Sequence, residues 1–222
     1  MNTFDFIIGN PDLILRLTWQ HVCIVAVAVG CGVLVGVPTG IAITQNERAA
    51  GAVLRLAGIV MTIPSMALFG VLIQILSLIN QGIGYLPAVI AIFLYSQLPI
   101  ISNTYAAIRG VDPAVREAAT GMGMSMRGFQ RLRLVEVPIA LPVIMAGIRV
   151  AVVLNIGIAA IAAYVGAGGL GFLIRAGITQ TDARQVIAGA ILVSLLALCA
   201  DFLLLVVQRR LSPRGILSRD PA

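Results

Sequence analysis

The chain has 222 residues, 59% of them hydrophobic and only 11% charged, and its mean hydropathy is +1.03. A soluble domain carries about 25% charged residues, so this composition excludes a water-soluble fold. The net charge of +6 comes from arginines with no lysine among them, and because they stand between apolar runs they read as determinants of membrane orientation rather than as a nucleic-acid surface.

In chain order, residues 1–9 contain Asp5 and no basic residue, unlike the charged start of a cleavable signal peptide, which leaves insertion to the first spanning helix. Residues 10–20 carry Asp12 and Arg16 and read as an interfacial segment; a helix of their own there would make a sixth span. His21 has no acid or serine at catalytic spacing and reads as an interfacial residue at the outer edge of the next run. About 20 apolar residues cross the hydrocarbon layer as a helix. Five runs meet that need: 22–43, 56–79, 85–108, 150–165 extended backward through 139–148, and 186–207. The fold class is therefore all-α and membrane-embedded, with residues 1–222 forming one domain.

Within the first run Gly32, Gly36 and Gly40 repeat every four residues, giving one helix face on which a neighbour can approach closely. Pro64 and Pro99 fall inside the second and third runs. Each removes a backbone donor and is expected to interrupt its helix. Ser65, Tyr95, Ser96, Gln97, Asn103 and Asn155 are the polar residues beside these breaks or in the fourth run, and a hydrated translocation seam is expected along them. Cys23, Cys31 and Cys199 lie in apolar runs without disulfide or metal spacing and read as small packing residues.

Placing the arginine-rich connections in the cytoplasm puts Arg48, Arg55, Arg109, Arg116, Arg127, Arg131, Arg133, Arg149, Arg209, Arg210, Arg214 and Arg219 inside, against Arg16, Arg175 and Arg184 outside. With five spans the N-terminus is then outside and the C-terminus inside.

The longest inside connection, 109–137, starts with Asp112 as a helix cap and Pro113 at the first helical position. Asp112 and Arg116 have the four-residue spacing of a favourable pair. Ala114, Val115, Ala118 and Ala119 form a small apolar face, and Gly121 and Gly123 end the helix. The result is a short surface helix, open to reading as a docking element or as an ordinary capped loop. No Walker-type phosphate loop is possible without a lysine, so ATP is not hydrolysed on this chain. Neither a two-histidine metal motif nor a nucleophile elbow is present. Metal sites, catalytic residues and bound cofactors are accordingly not expected. Residues 166–185 form an outer-face loop in which Gly166, Gly168, Gly169 and Gly171 disfavour continued helix. Residues 172–178 follow as a rim segment, with Phe172, Leu173 and Ile174 turned inward and Arg175 outward.

Glu117-Ala118-Ala119, then three residues and Gly123, and Val135-Glu136-Val137-Pro138 resemble the EAA loop of binding-protein-dependent ABC importer permeases. Thr62 through Gly70, Leu94 through Ile100, Val111 through Gly123, Leu141 through Arg149 and Ile161 through Gly171 are together similar to the permeases of glycine betaine, carnitine and choline importers. One departure is that eleven residues, 124–134, stand where the family loop has nine, and residues 124–128 are the expected place of the extra two. The resemblance implies a multi-pass inner-membrane subunit that forms the channel of an osmoprotectant importer. It implies Asp112, Glu117, Ala118, Ala119, Gly121 and Gly123 as the contact to a separate ABC ATPase dimer carrying ATP and Mg. It further implies a second permease chain, identical or related, and an extracytoplasmic substrate-binding protein. One tryptophan, four tyrosines and seven phenylalanines form no clustered cation-π box, which assigns selectivity to that binding protein. Two alternatives remain: a permease for another small amino-acid-like solute, or an ion-coupled secondary transporter using Asp201, the one acid inside an apolar run.

Overall fold

The computed structural model describes residues 3–125 and 129–211. Among the described residues the elements are α1 (Thr3–Gly9), α2 (Pro11–Ala42), a 3-10 turn (Ile43–Gln45), α3 (Glu47–Thr62), α4 (Ser65–Ser77), α5 (Tyr85–Arg109), α6 (Pro113–Gly121), α7 (Phe129–Arg131), a π-helix (Leu132–Glu136), α8 (Val137–Ile161), a second 3-10 turn (Ala162–Val165), α9 (Gly171–Thr179) and α10 (Ala183–Leu211). Residues 10–20 do not form a separate helix: Pro11 opens α2 and the helix runs on without a break. At 1.5 Å per residue its 32 residues reach about 48 Å, well beyond a hydrocarbon layer of about 30 Å.

The two prolines behave differently. At Ile63–Pro64 the chain leaves helical geometry, with ψ of 127° and 133°, because a residue before proline is pushed out of the α region. Helices α3 and α4 consequently meet at 98°, and the Tyr95 hydroxyl donates to the Ile63 carbonyl at the joint. Pro99 interrupts nothing, and α5 is continuous through it.

Hydrophobicity cannot hold helices together inside lipid; close backbone packing does. A Cβ on Gly32, Gly36 or Gly40 would stand 2.2 Å from Ser96 Oγ, 2.8 Å from Ile100 Cγ2 or 2.6 Å from Thr104 Cβ, respectively. Sequence number rises along both helices in that register, so α2 and α5 are parallel. The chain must therefore cross the bundle between them, and the bent α3–α4 pair is that crossing. Gly147 packs on Asn103 and Pro99 while Gly84 donates to Val165 (2.8 Å), which makes α8 antiparallel to α5. Arg149 paired with Asp201 and Gln208 donating to Pro142 make α10 antiparallel to α8. Five crossings result. The main core, with Ile24, Ala28, Phe69, Ile92, Ala151 and Ala159, fills the space between α2, α4, α5 and α8.

Candidate functional site

Three places carry the residues singled out in the sequence. At the end of the bundle where α5 finishes, Asp112 Oδ1 accepts from the Ala114 amide (2.8 Å) and caps α6. Met124 N donates to Ala119 O (3.1 Å) and Gly123 N to Thr120 O (2.9 Å), closing the helix with Gly123 at φ +86°. That left-handed position suits glycine. Glu117, Ala118, Gly121 and Gly123 are exposed, as are Ala114, Val115 and Met122, so α6 turns a small apolar face away from its own bundle. Ala119 differs from the expectation: at 1% exposure it anchors α6 to the body.

Arg116 also departs from the expected pairing with Asp112. Its guanidinium donates to the Ile108 carbonyl at the end of α5 and lies 3.4 Å from Glu136 Oε1. Arg131 Nε donates to the same oxygen at 3.0 Å. Residues five apart share a face in a π-helix, where hydrogen bonds run i to i+5, and Arg131 and Glu136 have that spacing. The π-turn spans Leu132–Glu136 and leads directly into α8. The expected place of the loop's two extra residues includes residues 126–128, which lie outside the described residues.

Of the six polar residues expected along a hydrated seam, only Ser65, at the start of α4, and Asn103 are half-exposed. Tyr95, Ser96, Gln97 and Asn155 are buried within this chain. Four side chains bond to carbonyls of the preceding turn: Ser96 and Gln97 to Phe93 (2.6 and 3.0 Å), Asn103 to Pro99 (2.8 Å), and Asn155 to Ala151 (2.8 Å). Such back-bonding satisfies donors without water and leaves these groups serving helix contacts in this conformation. Asn155 Oδ1 and Thr104 Oγ1 are buried without a hydrogen-bond partner.

At the opposite end, Gly166, Gly168 and Gly169 all have positive φ, from 76° to 82°, and reverse the chain as expected. The loop rests on the top of α2: Gly169 N donates to Gln20 Oε1 (3.2 Å), and a Cβ on Gly169 would stand 3.0 Å from His21 Nδ1. Gly171 presses on the Ala160 carbonyl, which a Cβ would meet at 1.9 Å. His21, at the outer edge of the first apolar run, turns into the bundle. It is fully buried, and its Nε2 donates to the Ile156 carbonyl at 3.0 Å. In α9 Leu173 turns inward as expected, but Phe172 is exposed and Arg175 folds back over its ring at 5.5 Å. Asp182, outside the spans, accepts from Arg184 Nε at 2.9 Å, and that hydrogen bond holds its carboxyl below the ordinary range.

Asp201 has a partner the sequence reading put elsewhere. Arg149 lies in the middle of α8 rather than in a cytoplasmic connection. It forms a two-pronged pair with Asp201, Nε to Oδ1 at 2.9 Å and Nη2 to both oxygens at 2.8 Å, and donates to Gln208 Oε1 at 3.2 Å. No cluster of histidines, cysteines and acids able to hold a metal exists among the described residues.

The arrangement matches known proteins over almost its whole length. The family described as binding-protein-dependent transport system inner membrane component matches residues 32–213. The osmoprotectant import permease protein OsmW of Salmonella typhimurium is 50% identical over 216 residues, 97% of this chain and 100% of that protein. The glycine betaine/carnitine/choline transport system permease protein OpuCB of Bacillus subtilis is 40% identical over 211 residues, 95% of this chain and 94% of that one. Two solved structures share the fold. An inward-facing MetNI methionine ABC transporter superposes with a TM-score of 0.79 at 22% identity over 90% of this chain and 97% of that chain. An amino acid ABC transporter with histidines gives 0.76 at 19% over 95% and 99%. Five crossings, a capped helix held outside the bundle and a family match across both leave no room for an ion-coupled carrier: the chain belongs to the inner membrane components of binding-protein-dependent ABC importers, as a permease subunit.

Proposed function

We propose that this permease forms half of the channel of an ATP-driven importer of quaternary ammonium osmoprotectants such as glycine betaine, choline, carnitine or proline betaine. The substrate class rests on relatives 40–50% identical over nearly their full length whose names carry osmoprotectants, among them glycine betaine, carnitine and choline. The observation that carries the mechanism is α6, capped at both ends and presenting Ala114, Val115, Glu117 and Ala118 away from the bundle. In this reading an ABC ATPase dimer, holding ATP and Mg, docks there, and Gly123 lets it approach. The arginine distribution, with Arg149 removed from the count, still supports a cytoplasmic α6, an outer N-terminus and a cytoplasmic C-terminus. A second permease chain completes the path across a two-fold axis. Ser65 and the exposed face of α4 line that path, while Tyr95, Ser96, Gln97, Asn103 and Asn155 set the spacing of the helices behind it. An extracytoplasmic binding protein delivers solute to the Gly166–Gly171 loop.

The test is reconstitution with ATPase and binding protein, followed by uptake of labelled glycine betaine and choline. Gly123→Asp adds volume and charge at the docking contact while nothing in its own chain lies within 4 Å of the new Cβ. ATPase association and uptake should be lost. Gly123→Asn, which tolerates the left-handed backbone, controls for strain. Unchanged association in Gly123→Asp would remove α6 as the docking element.

A further inference from the structure

The carboxylate of Glu136 is 6% exposed, yet two guanidinium groups converge on one of its oxygens. Arg131 Nε donates to Oε1 at 3.0 Å, and Arg116 Nε stands 3.4 Å from it without a hydrogen bond of its own. The three residues come from different levels of the chain: Arg116 from the middle of α6, Arg131 from α7, and Glu136 from the last position before α8. Arg116 also donates to the Ile108 carbonyl in the last turn of α5. One side chain on α6 thus touches the end of one crossing helix and the entry of another. Those two helices are themselves held together where Gly147 meets Asn103 and Pro99. Beside the cluster lies a cavity of about 480 Å³ lined by Ile41, Thr44, Gln45, Arg109 and Leu132 among others, so the charged groups have space on one side in which to move together.

Drawing Arg116 away from Glu136 costs attraction that water replaces poorly at a buried carboxylate, even with Arg131 still paired to it. Arg116 is tethered at two points, by its bond to the Ile108 carbonyl and by its charge beside Glu136, so a push on α6 reaches the end of α5 and the entry of α8 together. The π-turn that ends at Glu136 is the deformable part, since it lacks the regular ladder of an α-helix and such turns occur often at functional sites. We propose that Arg116, Glu136 and Arg131 are positioning residues that convert displacement of α6 into joint movement of α5 and α8. This rests on the reading of α6 as the ATPase contact and names the residues through which that contact acts on the membrane helices. Force enters through Arg116, divides between Ile108 and Glu136, and bends the π-turn while α5 and α8 stay packed.

The measurement is the ratio of solute molecules imported to ATP hydrolysed by the full complex in proteoliposomes. A cluster that only supports folding changes the yield of complex and leaves that ratio alone. Glu136→Gln keeps the shape and removes the charge. The ratio should fall about tenfold, within the usual range of coupling between sites, with ATPase association retained. Arg116→Met keeps the aliphatic stem and leaves Glu136 paired with Arg131, so it provides the same reading should Glu136→Gln assemble poorly. In a background lacking Cys23, Cys31 and Cys199, Arg116→Cys with Glu136→Cys should be poorly coupled and should recover when the thiols are joined by a short bifunctional reagent. An unchanged ratio in both single variants, or a bridged variant that stays uncoupled, overturns the proposal. Should Gly123→Asp also leave ATPase association intact, the fault lies in the docking reading; where that variant loses the ATPase, only the transmission path is wrong.

Discussion

Substituting alanine for glycine in α2 should stabilise or destabilise according to position alone. At Gly40 the added Cβ would stand 2.6 Å from Thr104 Cβ, 2.9 Å from its Cγ2 and 3.0 Å from the Ile101 carbonyl. Carbon atoms prefer about 3.5–4.0 Å, and Thr104 Cβ cannot rotate away, so α2 and α5 must part by about 1 Å at that level. Overpacking of this kind costs about 1–3 kcal/mol, against which alanine returns up to about 1 kcal/mol of helix propensity. The net is a loss of up to about 2 kcal/mol. At Gly30, in the same helix, nothing lies within 4 Å of the new Cβ, so the propensity gain of up to about 1 kcal/mol should stand unopposed. Thermal unfolding in lipid nanodiscs, followed by loss of monodisperse protein, reads the difference. With about 2–4 °C per kcal/mol, Gly40→Ala should lower Tm by up to about 8 °C while Gly30→Ala raises it or leaves it. Equal shifts in the same direction would refute the parallel glycine seam as the close contact between these helices.

Asp201→Asn strips the charge from a pair whose aspartate side chain is 40% exposed; loss of a buried pair costs about 3–5 kcal/mol, and partial exposure brings this to about 1–3 kcal/mol. Membrane yield should fall, and Arg149→Leu with Asp201→Leu should restore it; a double variant no better than the single one would show that the pair contributes more than charge balance. Gly169→Val places a β-branched residue at φ +76°, which such residues avoid, and crowds His21; uptake should drop at least about tenfold with ATPase association intact, whereas normal uptake would rule out a delivery role for the outer loop. Single cysteines at Ser125 and Thr181, in a background without the native three, should react with an impermeant reagent from opposite sides of the membrane, and labelling of both from outside would reverse the orientation.

The parts legible in the sequence were those set by local chemistry. Five apolar runs became five crossings, Asp112 and Pro113 opened α6, and the four-residue glycine repeat became a helix seam. Distant partners left no local trace. Arg149 looked cytoplasmic because arginines usually lie in loops; only Asp201, 52 residues away, explains its place in a span. The joint between Arg131 and Glu136 was hidden because side chains on an α-helix meet at three or four residues, and these are five apart. Tyr95, Ser96 and Gln97 suggested water, and only coordinates reveal that Ser96 and Gln97 bond to their own helix. Proline chemistry alone did not separate Pro64 from Pro99: the first stands at a sharp bend between α3 and α4, while the second sits inside one helix held on both sides by α2 and α8.

The order in which a ribosome makes this chain gives the Arg149–Asp201 pair a bearing on biogenesis. Arg149 is the middle residue of α8, so α8 reaches the membrane carrying a bare cation, at a cost of about 2.5–3.5 kcal/mol for a helix centre. Its counter-charge is 52 residues behind it, about 3–10 s of synthesis at about 5–20 residues per second. During that interval α8 is the weakest-inserted part of the nascent protein, held by its packing on α5 or by the insertion machinery itself. Completion of α10 ends the exposure and retains both helices at once. A chain truncated before Asp201 would leave Arg149 without its carboxylate partner for good.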